Sequence, residues 1–277
     1  MSPELKRRIV SAIVLAIVVL AATWYGGIWF QLVAALMGLL IYYEWSTITR
    51  LPERSFRANA FGWLAVALIA ADIVIGDGSN AVPLLGGATI TAILLTLVRA
   101  TNWWLPGGIF YAGLSATSLA AIRGEDQAGF VATLFVFAVV WATDILAYFV
   151  GRALKGPKLA PKISPGKTWS GAIGGTISGV VASSVLTLGV FSRLSFWTVA
   201  VAFVLSVASQ IGDLFESFIK RRFGVKDSSR LIPGHGGVMD RVDGLVFACF
   251  AAFLLTLAYA ASRGHADVSV AGFLFGF

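Results

Sequence analysis

Nine apolar runs dominate the chain, each near the length that crosses a bilayer: residues 9–24, 28–43, 61–75, 82–98, 107–122, 130–150, 169–190, 196–218 and 238–261. A spanning helix needs about 20 such residues, and backbone facing lipid has to satisfy its own hydrogen bonds, so only helices or a closed barrel remain. Continuous rather than alternating apolarity selects helices. Composition agrees, because 58% of the residues are hydrophobic and 13% charged, against roughly 25% charged in ordinary soluble domains. The expectation is an all-α, polytopic integral membrane protein with about nine transmembrane helices. Lys6, Arg7 and Arg8 ahead of the first run resemble the start of a signal peptide, but no small-residue cleavage site ends that run before Trp24, so the first helix is read as retained. Cys249 is the single cysteine; it falls inside an apolar run and reads as a small buried hydrophobe.

Loop charge sets the expected orientation, since cytoplasmic loops carry the Lys and Arg excess. With the N-terminus cytoplasmic, seventeen of the 21 Lys and Arg residues fall on the inner side. Arg123, Arg193 and Arg263 fall opposite, and Arg241 lies within the last run. Such a basic face also attracts anionic lipid headgroups. The location this implies is the cell membrane, with any active site on the cytoplasmic side. On this reading residues 1–127 form about five N-terminal spans. Residues 128–277 form about four C-terminal spans with two basic cytoplasmic loops, 152–168 and 219–237.

One stretch breaks the apolar pattern in a way that asks for a function. Residues 217–243, SFIKRRFGVKDSSRLIPGHGGVMDRVD, place a dense run of charge between two apolar helices, where ionisable groups are costly. Asp240 and Asp243 are three apart, so both project from one helix face. Their repulsion is relieved by a divalent cation, and hard oxygen ligands point to Mg²⁺; alternatively they are helix N-terminal acids favoured by the dipole. Asp213 and Glu216 repeat the spacing on the preceding helix, with Ser217 and Lys220 following, and a salt bridge from Asp213 to Lys220 or Arg241 is the alternative to a metal. Asp144 sits inside the sixth run with no basic residue within a helical turn, so its partner has to come from another helix, and a shared metal would supply one. Glu44 and Asp72, near the ends of their runs, read as snorkelling or interhelical hydrogen-bonding groups.

Two loops suit a phosphate. Ser164-Pro165-Gly166-Lys167-Thr168 offers backbone donors, an ammonium and a hydroxyl just before a helix, although Pro161 stands where a nucleotide-binding loop needs its first glycine. Pro233-Gly234-His235-Gly236-Gly237 leads into the last helix in a similar way. His235 is a candidate general base, a ligand hydrogen-bonding group or a holder of the loop. The pair Gly174-Gly175 reads as a site of close helix packing. Carboxylates on three helices with two phosphate-suited loops suggest phosphoryl or nucleotidyl transfer on a membrane lipid.

These residues resemble the phosphatidate cytidylyltransferases, also called CDP-diacylglycerol synthases. Their long signature is matched by Ser217, Ile219, Lys220-Arg221, Lys226-Asp227, Ser229, Ile232-Pro233, His235-Gly236-Gly237, Asp240-Arg241 and Asp243, with every spacing kept. Lys158 to Lys162, Ser164 to Trp169 and Gly212-Asp213 through Ser217 are similar to further blocks of that family, and the likeness runs from about Trp141 to Val246. Ile145 and Leu146 stand where the family often has a small hydroxyl residue and glycine, and Ser170 where it often has glutamate or glutamine. The resemblance implies that CTP and phosphatidic acid, a membrane lipid, give CDP-diacylglycerol and pyrophosphate, with Mg²⁺ required, K⁺ as a second cation, a homodimer, and no nucleic acid partner. It implies Asp144, Asp213, Asp240 and Asp243 at the metal. Lys167, Lys220, Arg221, Lys226 and Arg230 would grip triphosphate or lipid phosphate, with Ser164, Thr168, His235, Gly236 and Gly237 lining the nucleotide site. An ion-coupled transporter and a CTP-dependent lipid kinase are the competing expectations; the first predicts repeated halves, which the sequence lacks, and the second predicts release of CDP.

Overall fold

The computed structural model describes residues 3–76, 78–99, 102–264 and 268–276. The turn residue Asp77 and the side chains of Lys6, Arg7, Arg8 and Arg99 lie outside the described residues. The chain is helical almost throughout: α1 (Pro3–Tyr25), α2 (Gly27–Ile48), α3 (Leu51–Arg54), α4 (Phe56–Ile75), α5 (Ala81–Arg99), α6 (Trp104–Arg123), α7 (Gln127–Leu154), α8 (Trp169–Phe191), α9 (Phe196–Arg222), α10 (Met239–Arg263) and α11 (Val270–Phe275). Among the described residues, α2 and α4 to α10 supply eight helices long and apolar enough to span a membrane, and Ile9–Tyr25 within α1 is a shorter apolar helix. All nine expected runs are therefore helices, and α3 and α11 are additional short ones. The expected loop 152–168 differs: α7 continues through Leu154, and β1 (Lys158–Ala160) pairs antiparallel with β2 (Ser164–Thr168) in a small hairpin.

Local chemistry sets the helix ends. Ser55, Asp126, Thr168 and Ser269 each cap a helix N-terminus by accepting the backbone N–H three residues on, which satisfies donors that have no intrahelical partner. Gly26, at φ 63°, breaks the chain between α1 and α2, a conformation open to glycine at little cost.

The chain forms two compact units, residues 1–121 with 222–241, and residues 122–221 with 242–277. The charged passage 222–241 thus clusters with the N-terminal spans rather than with the helices that flank it. In the first unit the core is built from Ile41, Tyr42, Ile69, Ile73, Leu105 and Ile109, all almost fully buried. Trp45 donates its indole N–H to the Trp104 carbonyl at 2.8 Å and packs against the rings of Trp104 and Tyr111.

In the second unit α7 and α8 share a seam of small residues. Gly171, Gly175, Gly179 and Ser183 recur every fourth position of α8 and are all buried. A Cβ on Gly175 would stand 2.7 Å from the Thr143 carbonyl oxygen, and one on Gly171 would stand 2.7 Å from that of Ala147. This is the close approach that small residues permit when two spanning helices pack. α9 joins through Thr143 Oγ1 to Ser206 Oγ at 2.8 Å and Gln210 Nε2 to Thr176 Oγ1 at 2.9 Å. α10 approaches α9 at Gly212, where a Cβ would meet the Asp243 carbonyl at 2.4 Å. Cys249 is buried, as its position suggests.

Gly175→Val is expected to force α7 and α8 apart and to lower the melting temperature of the detergent-solubilised protein, by an overpacking cost of about 1–3 kcal/mol. Gly189→Ala, on the same helix with nothing within 4 Å of its added Cβ, is expected to leave melting unchanged.

Candidate active site

The charged passage is organised around one carboxylate that sequence reading placed at a span end. Because α2 continues to Ile48, a full turn beyond the expected end at Tyr43, Glu44 lies inside the helix and is completely buried. Its Oε1 accepts from Ser229 Oγ at 2.6 Å and from the Val238 N–H at 2.7 Å. Its Oε2 accepts from Ser228 Oγ at 2.9 Å and from the Met239 N–H at 2.7 Å. The last two amides open α10, so a side chain from α2 satisfies donors that the helix cannot satisfy itself, at the end where the dipole favours a negative charge. Hydrogen bonds to a charged group contribute about 1.5–3 kcal/mol each, and a buried carboxylate without such partners would be strongly destabilising. Glu44 is thus a distant N-cap for α10: of the two readings, snorkelling does not hold and the interhelical hydrogen bond does, made to the Met239 N–H.

Asp240 completes the arrangement from the other side. Its Oδ2 accepts from the Ser228 N–H and the Gly237 N–H, each at 2.8 Å, and lies 2.9 Å from the Ser228 hydroxyl, whose one proton is shared between Asp240 and Glu44. Ser228 therefore sits between the two acids, its single hydroxyl facing an oxygen of each. The glycines follow from this wrapping. Gly234 and Gly236 have φ of 78° and 85°, and a Cβ on Gly237 would lie 2.5 Å from Glu44 Oε1 and 1.9 Å from Ser228 Oγ. Ile232 and Gly236 close the turn, with the Ile232 N–H donating to the Gly236 carbonyl at 2.8 Å. His235 is engaged on its Nδ1 side by the Ser11 hydroxyl at 2.7 Å, and the same hydroxyl donates to the Pro233 carbonyl; of its three readings, holding the loop is the one the geometry favours. Phe223 packs edge-on against Trp104 at the start of the passage. Lys226 and Arg230 remain exposed on the loop.

The second unit contains the other acids. Lys167, on β2, places its Nζ 2.6 Å from Asp213 Oδ2 of α9. Asp213 interacts electrostatically with both Asp144 of α7 and Asp243 of α10, those two acids interact with each other, and Lys167 acts on both with the opposite sign. Asp144, Asp213, Asp243 and Lys167 thus interact with one another in this unit, whereas the sequence reading grouped Asp240 with the three acids and gave Lys167 to a phosphate. Asp243 Oδ1 accepts the Gly244 N–H at 2.9 Å. Lys220 is turned to Glu216, which lies 2.5 Å away and is fully buried. Arg221 is exposed at the end of α9. Ser164 to Thr168 form a strand, with Thr168 capping α8, and Ser170 bonds the Lys155 carbonyl and Thr168 at the hairpin base. Asp72 holds the turn to Asn80 by two hydrogen bonds of 3.1 Å.

Among the described residues no group of three His, Cys, Asp or Glu side chains is arranged as a metal site. The second unit does present carboxylate oxygens, the hard donors that Mg²⁺ takes, with the Lys167 ammonium in place as a cation on one of them.

These blocks place the chain among known proteins. A model of the cytidylyltransferase family matches residues 6–259. The chain belongs to that family. It is 46% identical over 260 residues to the phosphatidate cytidylyltransferase of Brucella abortus biovar 1 (strain 9-941), covering 93% of this chain and 95% of the relative. It is 34% identical over 284 residues to the protein of that name in Haemophilus influenzae, and 34% identical over 252 residues to that of Staphylococcus haemolyticus, each alignment covering 88% of this chain. Coverage of those relatives is 96% and 95%. The family model includes the helices before Trp141, where sequence reading saw only apolarity.

Ser228 and Ser11 were missed, and Glu44 was not connected with the charged passage. An acid in an apolar run was the available signal for Glu44, and misplacing the helix end by one turn hid its depth.

Removing the cation from the acidic cluster leaves like charges facing one another. Lys167→Met is expected to lower the melting temperature, and the double variant with Asp213→Asn to recover part of the loss. Equal melting of Lys167→Met and wild type in a double-mutant cycle would remove the pair from the account.

Proposed function

We propose that the chain transfers the cytidylyl group of CTP to phosphatidic acid. A phosphate oxygen of the lipid forms a bond to the α-phosphorus of CTP, the bond from that phosphorus to the bridging oxygen breaks, and pyrophosphate leaves with CDP-diacylglycerol as the other product. Membership of the cytidylyltransferase family over residues 6–259 is the observation that carries this reading. The assembly is suited to it. The nucleophile is already an anion, so the protein has chiefly to position two phosphates and to offset charge.

Lys226, Arg230 and Arg221 provide exposed cations for phosphate oxygens, and His235, Gly236 and Gly237 shape the loop from which the first two project. Asp144, Asp213 and Asp243 would hold Mg²⁺, with K⁺ as the second cation; when bound, these cations would neutralise charge developing on the transferring phosphorus. Asp240, with Oδ2 engaged by three donors, is assigned to holding the loop. Lys167 balances the acidic cluster. The basic loops support a cytoplasmic N-terminus and a cytoplasmic active face on the cell membrane, and the family resemblance supports a homodimer.

Purified protein in micelles containing phosphatidic acid is expected to convert cytidine-labelled CTP into a labelled lipid with one pyrophosphate per product. Chelation should stop turnover and added Mg²⁺ restore it. Asp213→Asn should lose at least about 100-fold in kcat/KM. Label remaining in the aqueous phase as CDP would contradict the assignment.

A further inference from the structure

We propose that Glu44 is a positioning residue of this site, acting through the loop to set where Lys226 and Arg230 meet the phosphates of the nucleotide. The inference rests on the reading above for what those residues meet, and on the geometry of Glu44 for how they are held. Glu44 lies 182 residues before Lys226 in sequence, yet its carboxylate receives four donors from the passage that carries the cations. Two are backbone amides of Val238 and Met239, and two are hydroxyls of Ser228 and Ser229. The contact is therefore with the frame of the loop, on both of its limbs, and with the first turn of α10.

The donor chemistry makes the requirement specific. The serine hydroxyls can rotate, but the two N–H groups point at different carboxylate oxygens and have no alternative role there. A glutamine has the size of glutamate and one acceptor oxygen; its amide nitrogen would have to face either the Val238 or the Met239 N–H, donor against donor. Aspartate keeps two acceptor oxygens and the charge on a stem one methylene shorter. Glycine at 237 leaves no slack on the loop side, since even a methyl group there would collide with Glu44 Oε1. Ser228, bridging Glu44 to Asp240, couples this anchor to the residue three positions before Asp243.

A residue that served stability alone would leave the folded fraction of a variant with the wild-type affinity for nucleotide. Glu44→Gln, purified as a monodisperse species, is instead expected to raise the KM for CTP about tenfold, the scale of losing a supporting contact behind a binding group, with a smaller change in kcat. Glu44→Asp should recover part of the difference. Trypsin should also cut after Lys226 or Arg230 about tenfold faster in Glu44→Gln than in wild type, reporting local opening of the loop. If Glu44→Gln does not purify, Ser229→Ala, which removes one donor and leaves the carboxylate, is expected to move both readouts in the same direction by a smaller factor. An unchanged KM for CTP together with an unchanged cleavage rate in these variants would overturn the inference. Absence of CTP turnover in wild type would count against the functional reading, while the cleavage rates would still decide whether Glu44 holds the loop.

Discussion

A buried carboxyl side chain is costly in an apolar bundle unless its oxygens are hydrogen-bonded, and Glu44 meets that condition by drawing in a loop from the far end of the sequence. Four donors converge on it from residues 228, 229, 238 and 239. The charged passage is thereby pinned at both limbs, the first turn of α10 receives the cap it lacks locally, and the glycines at 234, 236 and 237 become geometric necessities. Without this contact a passage rich in Lys and Arg, joined to spanning helices, would have little apolar surface with which to hold a shape. The order of the loop depends on hydrogen bonds to charge more than on burial of hydrocarbon.

The second unit solves a different electrostatic problem. Asp144, Asp213 and Asp243 repel one another, and the described arrangement offsets this with the Lys167 ammonium on Asp213. The small-residue seam of α7 and α8 matters here because it fixes the backbone beside Asp144: Thr143, its neighbour, touches Gly175 and Gly179 of α8 and bonds Ser206 of α9. Packing of this kind, with carbonyls against glycines, leaves few ways for the acid to shift. Charge in this unit is thus placed by helices, whereas in the first unit it is placed by a loop tied to a helix.

Much of the architecture was legible from hydrophobic length alone. Each of the nine apolar runs is a helix, and the glycine pair at 174–175 packs as expected, because both properties are local and governed by the bilayer and by side-chain size. That Asp144 finds its partners on other helices was also legible, since an acid inside an apolar run has few other ways to be accommodated, although the reading counted Asp240 with Asp213 and Asp243 among them. The hairpin at 158–168 was not, because its glycine, lysine and threonine satisfy the composition of a phosphate loop while strand pairing decides the backbone. Glu44 was hidden for a related reason: its partners are amides and hydroxyls, which no charge pattern announces, and they lie nearly two hundred residues away. Lys220 pairs with Glu216 at i,i+4, a local rule that could have been preferred to the longer-range partners considered for it.

The central claim is that the Glu44 carboxylate, by accepting the Val238 and Met239 amides, holds the loop that precedes α10 in one conformation. Hydrogen–deuterium exchange of the peptide spanning residues 228–240 measures this directly, in the wild-type protein and in Glu44→Gln, with the α7 and α8 peptides as internal references. The account predicts slow exchange in wild type and exchange at least about tenfold faster in the variant, confined to that peptide and the adjoining turn of α10. Equal exchange in the two proteins, or rapid exchange of Val238 and Met239 already in wild type, would contradict it.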